Sequence, residues 1–112
     1  MWAEYDNMTV ESEINNYTLH VTGYHGNAGD AFNDDDNVSW QSNGMKFSTA
    51  DVDNDLKPTG NCGAYSGWWY NHCTSSKLTG RNSFWNRYSA TNGQLSPIRV
   101  SASRMMLQCG AI

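Results

Sequence analysis

Three aspartates at alternate positions form the pattern in this sequence with the clearest chemical potential. Asp51, Asp53 and Asp55 lie at i, i+2 and i+4 in the stretch DVDNDLKPTGNC, residues 51–62. In an irregular loop, side chains at this spacing can converge on one centre. A hard cation such as Ca²⁺ takes oxygen ligands from carboxylates, backbone carbonyls and water, and without a cation the crowded carboxylates repel one another. The pattern predicts either a calcium loop or a solvated acidic turn.

The spacing begins like an EF-hand loop and then departs from it. Leu56 occupies the sixth position, where the EF-hand has glycine, and Cys62 occupies the twelfth, where it has glutamate. No helical pattern flanks the loop. A second acidic run, Asp34–Asp36, is contiguous. Its carboxylates point in different directions, which favours a solvated loop.

Other site chemistries find little support in the sequence. Cys62, Cys73, His20 and His25 are zinc-ligand types, but the cysteines are too far apart for a zinc knuckle and the ligand order is reversed. There is no G-x-S-x-G elbow, no glycine-rich phosphate loop and no set of nucleophile, base and orienting acid. We therefore expect neither a zinc site nor an enzyme.

Composition describes one small, loop-rich domain. The chain has 112 residues, 38% of them hydrophobic, with a net charge of −4. No basic cluster stands out, which argues against a nucleic-acid partner, and no long apolar run predicts a transmembrane helix. Of the three cysteines, Cys62 and Cys73 are compatible with a local disulfide, and Cys109 is then either free or paired outside the chain. With N-x-S/T sequons at Asn7, Asn16 and Asn37, this favours secretion.

The elements that must position the acidic loop are short strands. Residues 2–10 and 17–24 alternate as strands and predict a hairpin across a polar connection. Residues 45–49 and 97–108 read as further extended pieces. No convincing amphipathic helix occurs. Adjacent residues of an extended chain face opposite ways, so of Trp68 and Trp69 we expect the first to lie in the core.

Several uncommon strings, in a fixed order, make this sequence resemble the fibrinogen C-terminal globular domain, also called the fibrinogen-related domain. The resemblance runs in register from about Trp2 to Gly80. It omits the N-terminal subdomain of that family, and the sequence diverges after Gly80. The strings, in chain order, are AEYDNMTV, YTLHVTGYHGNAGDAF, NGMKFSTADVDND, GNC, GWWYNHC and KLTG.

The resemblance implies an α+β, loop-rich fold with a small antiparallel sheet and an irregular calcium-binding and pocket subdomain. The whole chain, residues 1–112, would be one partial domain. Within it we expect the sheet and connecting loops at about 2–49, the calcium loop and pocket at about 50–80, and a divergent strand region at 81–112.

The resemblance also implies a Ca²⁺ cofactor. By motif position the carboxylate ligands are Asp53 and Asp55, and carbonyl ligands come from the turn at Lys57 or Pro58 and at Gly60. Asp51 is then a turn residue or an outer charge. A disulfide between Cys62 and Cys73 would join this loop to the aromatic segment.

Lectin-like members of the family imply a pocket for acetyl groups formed here by Tyr65, His72, Cys73 and Thr74. Tyr65 stands where an aromatic wall is expected, although core packing is an equal alternative. The His72–Cys73 peptide bond matches one that is often cis in the family. Thr74 stands where acetyl-binding members often have histidine.

The function that follows is a secreted, calcium-stabilised recognition module that binds acetylated or other glycans, in innate recognition. The alternative is a protein-binding module of the receptor, clotting or matrix type. A third reading is a structural or assembly subunit, in which exposed strand edges are completed by an oligomer or by a larger parent chain.

Overall fold

Short strands and 3-10 helices form the regular structure of residues 1–89 and 95–108, the parts of the chain that the computed structural model describes. The 3-10 helices span Glu13–Asn15, Ala31–Asn33 and Val38–Trp40. No α-helix occurs in these described ranges, so the helical share of the expected α+β class is limited to three turns. The strands are β1 (Ala3–Val10), β2 (Leu19–Gly26), β3 (Phe47–Ser48), β4 (Trp68–Trp69), β5 (Ser76–Lys77), β6 (Phe84–Ser89) and β7 (Leu95–Arg99).

The strands form three small antiparallel sheets, with orders β1-β2, β3-β4 and β5-β6-β7. The first is the predicted hairpin, which is confirmed, with Ala3 opposite Gly26 and Val10 opposite Leu19. Alternation along β2 explains its sidedness, because Leu19 and Val21 are buried and His20 between them is exposed. The hairpin therefore presents one face to the core and one to solvent.

The core is an aromatic cluster centred on Phe32. The Phe32 ring lies 6.0 Å from Trp68 in a stacked arrangement and 5.0 Å from Trp85 edge-on, measured between ring centroids. Tyr5 of β1 approaches the same ring at 5.3 Å. These rings come from four separate parts of the chain. A few large side chains thus provide the packing that a short, polar sequence cannot obtain from aliphatic residues.

The polar loop around residues 34–37 is fastened to the body of the domain through one carboxylate. Asp34 Oδ1 accepts the backbone N–H groups of Asp36 and Asn37, at 3.1 and 3.2 Å. Its other oxygen, Oδ2, accepts the Ser75 hydroxyl at 2.6 Å. The predicted solvated loop is therefore right for Asp35 and Asp36, which are exposed. It is wrong for Asp34, which anchors the loop.

The C-terminal part differs from the sequence prediction. The extended piece expected at 97–108 is a strand only through Arg99, the end of β7. Ser101–Gln108 have no strand assignment and are exposed, because a strand needs cross-strand partners and the described residues provide none for them. Cys109 lies outside the described residues. Within the described ranges, no helix has the length and apolar character needed to cross a membrane.

Candidate ion loop and binding groove

The acidic loop lies in the segment of chain that connects β3 to β4. Ser48 of β3 is opposite Trp68 of β4 and is fully buried. The Ser48 hydroxyl accepts the backbone N–H of Asn54 at 2.9 Å, and the Asn54 side-chain amide donates to the Phe47 carbonyl at 3.0 Å. Asn54 is thus turned toward the strands. The residues on either side of it, Asp53 and Asp55, are left to organise the outer part of the loop.

Asp55 closes the turn that follows it. One carboxylate oxygen, Oδ1, accepts the N–H of Lys57 at 3.0 Å. The other, Oδ2, accepts the N–H of Cys62 at 2.9 Å. A single half-buried side chain therefore joins the beginning of the turn to its end. Gly60, between them, has φ +78°, a left-handed conformation that glycine adopts without steric cost.

The other two aspartates are exposed. Asp53 Oδ1 accepts the backbone N–H of Asp55 at 3.2 Å, so this hydrogen bond joins the Asp53 side chain to the backbone of Asp55. Asp51 accepts the Thr49 hydroxyl at 2.7 Å, and this hydrogen bond lowers the pKa of Asp51. Thr49 also pairs with Val52 in an isolated bridge. Of the two roles that the resemblance left to Asp51, this geometry matches the turn residue.

The loop has donors of the chemistry that Ca²⁺ prefers. Asp53 and Asp55 provide carboxylate oxygens and the turn that follows them provides backbone carbonyls, so no nitrogen or sulfur ligand is needed. No cluster of three or more His, Cys, Asp or Glu side chains suited to a metal occurs in residues 1–89 and 95–108. An ion in this loop would therefore be completed by backbone carbonyls, at Lys57 and Gly60 by motif position, and by water. The loop residues are compatible with a Ca²⁺ ion bound by two carboxylates, backbone carbonyls and water.

The Cys62–Cys73 disulfide is present, with Cα atoms 5.2 Å apart. It joins the end of the acidic loop to the aromatic segment. A backbone hydrogen bond of 2.9 Å from Leu56 N–H to the Asn71 carbonyl runs beside it. The loop is therefore fixed to the same segment at Leu56, in its middle, and at Cys62, at its end.

The expected cis bond between His72 and Cys73 is not found, since the described residues contain no cis peptide bond. The chain instead reverses through Cys73, whose φ is +59°. The N–H of Asn71 donates across this reversal to the Cys73 carbonyl at 2.8 Å. The N–H of His72 donates to the Ser39 carbonyl at 2.9 Å, so it faces the protein rather than a ligand.

An open groove of about 520 Å³ lies beside Tyr65. Tyr65 is 96% exposed, which matches the wall alternative and not core packing. The other lining residues are Lys77, Gly80, Arg81 and Asn82. Sequence reasoning missed these four. The charge pattern of the chain after Asp55 is the signal that could have indicated the two basic ones.

The remaining predicted pocket residues are not part of this groove. His72 is exposed and Cys73 is tied up in the disulfide. Thr74 is only 3% exposed, its hydroxyl donates to the Ser76 carbonyl at 2.8 Å, and it lies 3.1 Å from the Ser42 hydroxyl. The structure therefore does not gather the four predicted pocket residues around one cavity. Their role in ligand binding stays a prediction.

Two contacts join the chain segments that carry the lining residues of the groove. The Thr79 hydroxyl donates to the Gly67 carbonyl at 2.6 Å. Gly80 has φ +71°, and a Cβ atom there would lie 2.7 Å from Ser66 Cβ. Such a distance is too short for any other residue, so glycine is what allows these two backbone segments to meet.

Tyr70 supports the same turn from the core side. Its hydroxyl donates to the Ser66 carbonyl at 2.8 Å. Burial raises the pKa of Tyr70, a hydrogen bond with the side-chain hydroxyl of Ser66 lowers it, and the nearby Asp55 carboxylate raises it again. Tyr70 is thus hydrogen-bonded to the turn that carries Tyr65 and lies near the acidic loop.

Comparisons with known proteins agree on one family. The profile described as "Fibrinogen beta and gamma chains, C-terminal globular domain" matches residues 1–101. Human fibroleukin is 43% identical over 83 residues, which cover 72% of this chain and 18% of fibroleukin. The chain therefore spans a small part of the length of this curated relative.

Two solved structures share the fold. The fibrinogen-like globe domain of human ANGPTL2 aligns with a TM-score of 0.62 at 35% identity, covering 87% of this chain and 47% of that one. The lamprey fibrin D-dimer, complexed with the peptide ligand Gly-His-Arg-Pro-amide, aligns with a TM-score of 0.65 at 32% identity. That match covers 80% of this chain and 30% of the lamprey chain. With the hairpin, the disulfide-closed acidic loop and the aromatic segment in the order that the family profile matches, this chain belongs to the fibrinogen C-terminal globular domain family.

Proposed function

We propose that this chain is a non-catalytic, calcium-stabilised recognition module of an extracellular protein, and that it binds a peptide segment of a partner protein in the groove beside Tyr65. The observation that carries the proposal is the 96% exposure of Tyr65 in an open groove whose walls are fixed. Aromatic side chains with one apolar face and one polar tip are enriched among the residues that dominate protein interfaces.

The rigidity of the turn around Tyr65 supports this proposal. Ser66 is held by Tyr70, and Gly67 is held by Thr79. The Cys62–Cys73 disulfide closes the stretch of chain that contains Tyr65. A preorganised site avoids the entropy cost of ordering a loop on binding, so even a small groove gains affinity. The peptide in the lamprey fibrin structure supports the ligand class, because it shows a protein of this fold with a short peptide bound.

The extracellular assignment rests on the cross-link. The Cys62–Cys73 disulfide closes a short loop, and such bonds persist mainly in oxidising compartments. Extracellular calcium modules bind the ion with dissociation constants of roughly 10⁻⁴–10⁻³ M, which suits an exposed loop with few carboxylates. A disulfide and a low-affinity calcium site are both typical of a module that works outside the cell.

Calcium binding to the acidic loop makes a direct prediction. Asp53→Asn together with Asp55→Asn should abolish the rise in melting temperature on adding Ca²⁺, because the substitutions remove the carboxylate charge. For a dissociation constant near 10⁻⁴ M, 5 mM Ca²⁺ stabilises the unaltered chain by about 2 kcal/mol. Thermal melts in Ca²⁺ and in chelator measure the difference.

The matched control for this experiment is Asp35→Asn together with Asp36→Asn. These exposed aspartates carry the same charge but lie away from the loop. The control should keep the full response to Ca²⁺. An equal loss of response in both double variants would mean that the ion acts through overall charge, and an unchanged response in both would show that Ca²⁺ binds elsewhere.

Binding of an acetylated glycan at the same groove is the second candidate. The exposed Tyr65 ring favours it, since an aromatic face can pack on a sugar or on an acetyl methyl group. The buried Thr74, with its hydroxyl committed within the protein, weighs against it. Competition by N-acetylglucosamine separates the two candidates, because it should displace a glycan ligand and leave a bound peptide in place.

The test of the peptide proposal is a selection of random peptides displayed on phage against the oxidised, calcium-loaded chain. We expect enriched peptides to lose about tenfold or more in affinity for the Tyr65→Ala variant, as removal of a central aromatic anchor does in other interfaces. Tyr17→Ala is a matched control, because Tyr17 is also exposed but does not line this groove. Peptides that bind both variants as well as the unaltered chain would contradict the assignment of the groove.

A further inference from the structure

The charged residues of this chain are divided between its two halves. All eleven acidic residues lie at or before Asp55, together with one basic residue, Lys46, which gives residues 1–55 a net charge of −10. Residues 56–112 contain six basic residues and no acidic residue, a net charge of +6. The modest overall value of −4 hides this separation. Such asymmetry is a recognised sign of an electrostatic binding surface.

The groove beside Tyr65 lies entirely in the basic half. Lys77 and Arg81 are two of the residues that line it. Arg99 extends the positive charge, because its Nη1 donates to the carbonyl of Asn82, a third lining residue, at 3.4 Å. The groove therefore combines an exposed aromatic ring with positively charged side chains, although the protein as a whole has a negative net charge.

These cations have no internal counter-charge in the described residues. The histidine–carboxylate contacts found there join His20 to Glu11 and His25 to Asp6, and all four residues belong to the hairpin and its connection. No carboxylate of residues 1–89 and 95–108 forms an ion pair with Lys77 or Arg81. Positive charge concentrated in an open groove raises the local concentration of anions and steers an oppositely charged partner toward it.

We propose that the groove selects an acidic peptide segment, in which carboxylates pair with Lys77 and Arg81 beside an apolar side chain packed on Tyr65. This proposal rests on the peptide-binding function proposed above and names its ligand class. Arg81 can grip a carboxylate through two parallel N–H groups, and Lys77 acts as a point charge. The Gly-His-Arg-Pro-amide peptide of the lamprey structure has the opposite character, because it carries arginine and no carboxylate. The groove should therefore reject it.

The test uses three fluorescein-labelled peptides and measures binding by fluorescence polarisation. The first is the acidic peptide Gly-Glu-Phe-Asp-Glu-Gly, labelled at its N-terminus and amidated at its C-terminus. The second is its neutral copy with glutamine and asparagine, and the third is Gly-His-Arg-Pro-amide. We expect the acidic peptide to bind at least about tenfold more tightly than the neutral copy at low salt, with the advantage lost in 0.5 M salt as the charges are screened. The cationic peptide should bind most weakly.

Two double variants show whether the groove charges are responsible. Lys77→Gln with Arg81→Gln should remove the advantage of the acidic peptide and change the affinity for the neutral copy by less than about twofold. Lys46→Gln with Arg104→Gln makes the same change in net charge at exposed positions that do not line the groove. That control should keep the advantage, and its loss in both variants would mean that overall charge, not the groove, sets the selectivity.

Three outcomes would overturn the proposal in different ways. If the acidic and neutral peptides bind equally well and both need Tyr65, the groove binds peptides but does not select acidic ones. If the affinities are unchanged by Tyr65→Ala, this groove is not the binding site, and if no peptide binds, the peptide-binding function itself fails. If a sulfated heparin oligosaccharide binds more tightly than the acidic peptide and needs Lys77 and Arg81, the anionic ligand is a glycan.

Discussion

Replacing Trp68 with alanine is expected to lower the free energy of unfolding by about 3–5 kcal/mol, the cost typical of removing a large buried aromatic side chain. Trp68 is 1% exposed and lies between the stacked ring of Phe32 and the edge-on ring of Trp69. Its removal opens a cavity at the point where the hairpin side of the core meets the strand that carries the aromatic segment. Urea unfolding at constant Ca²⁺ concentration measures the loss.

Trp68→Phe is the matched control for this variant. Within the described residues the buried Trp68 indole N–H has no hydrogen-bond partner, so phenylalanine removes an unsatisfied donor as well as some volume. We expect phenylalanine to cost less than half as much as alanine. Equal losses for both variants would mean that the shape of the indole matters rather than the burial of an aromatic ring. No measurable loss for alanine would contradict the position of Trp68 in the core.

Removing the disulfide with Cys62→Ser and Cys73→Ser should lower the free energy of unfolding by about 2–4 kcal/mol, the range typical of a disulfide that constrains the unfolded chain. The bond closes a loop with a sequence separation of 11 residues. Because the acidic loop ends at Cys62, the variant should also weaken the stabilisation by Ca²⁺. Chemical unfolding with and without Ca²⁺ measures both effects.

A reducing agent provides the control for the disulfide experiment. It should lower the stability of the unaltered chain toward that of the double serine variant and leave that variant unchanged. A loss of stability on reduction of the serine variant would show that another cross-link matters. If the serine variant keeps its full response to Ca²⁺, calcium binding by the acidic loop does not depend on the disulfide.

Local patterns predicted the hairpin and the burial of Trp68 because both are set by residues close in sequence. The alternation of Leu19, His20 and Val21 directly encodes one buried and one exposed face of β2. The same reasoning placed Trp68 inside. It failed for β6, Phe84–Ser89, because the sequence FWNRYS has no clean alternation, and no local pattern marks its pairing with β5 on one side and β7 on the other. Strand propensity depends on such neighbours, which a single sequence does not show.

The candidate sites were predictable to different degrees. The acidic loop and its disulfide follow from spacing and from the family resemblance, and the structure brings Asp55 and Cys62 into direct contact. The groove was not predictable, because Tyr65 and Arg81 are brought together by the approach of Ser66 to Gly80. That contact is a property of the folded chain, not of any motif.

The groove assignment is tested most directly by mapping amide hydrogen exchange with and without a peptide obtained from the phage selection. We expect slower exchange confined to the walls of the groove, at residues 64–67 and 77–82, with the hairpin of β1 and β2 unchanged. The same peptide should produce no such protection in the Tyr65→Ala variant. Protection centred on the hairpin or on the 3-10 helices, with the Tyr65 turn unaffected, would contradict the central claim that this groove is the recognition site.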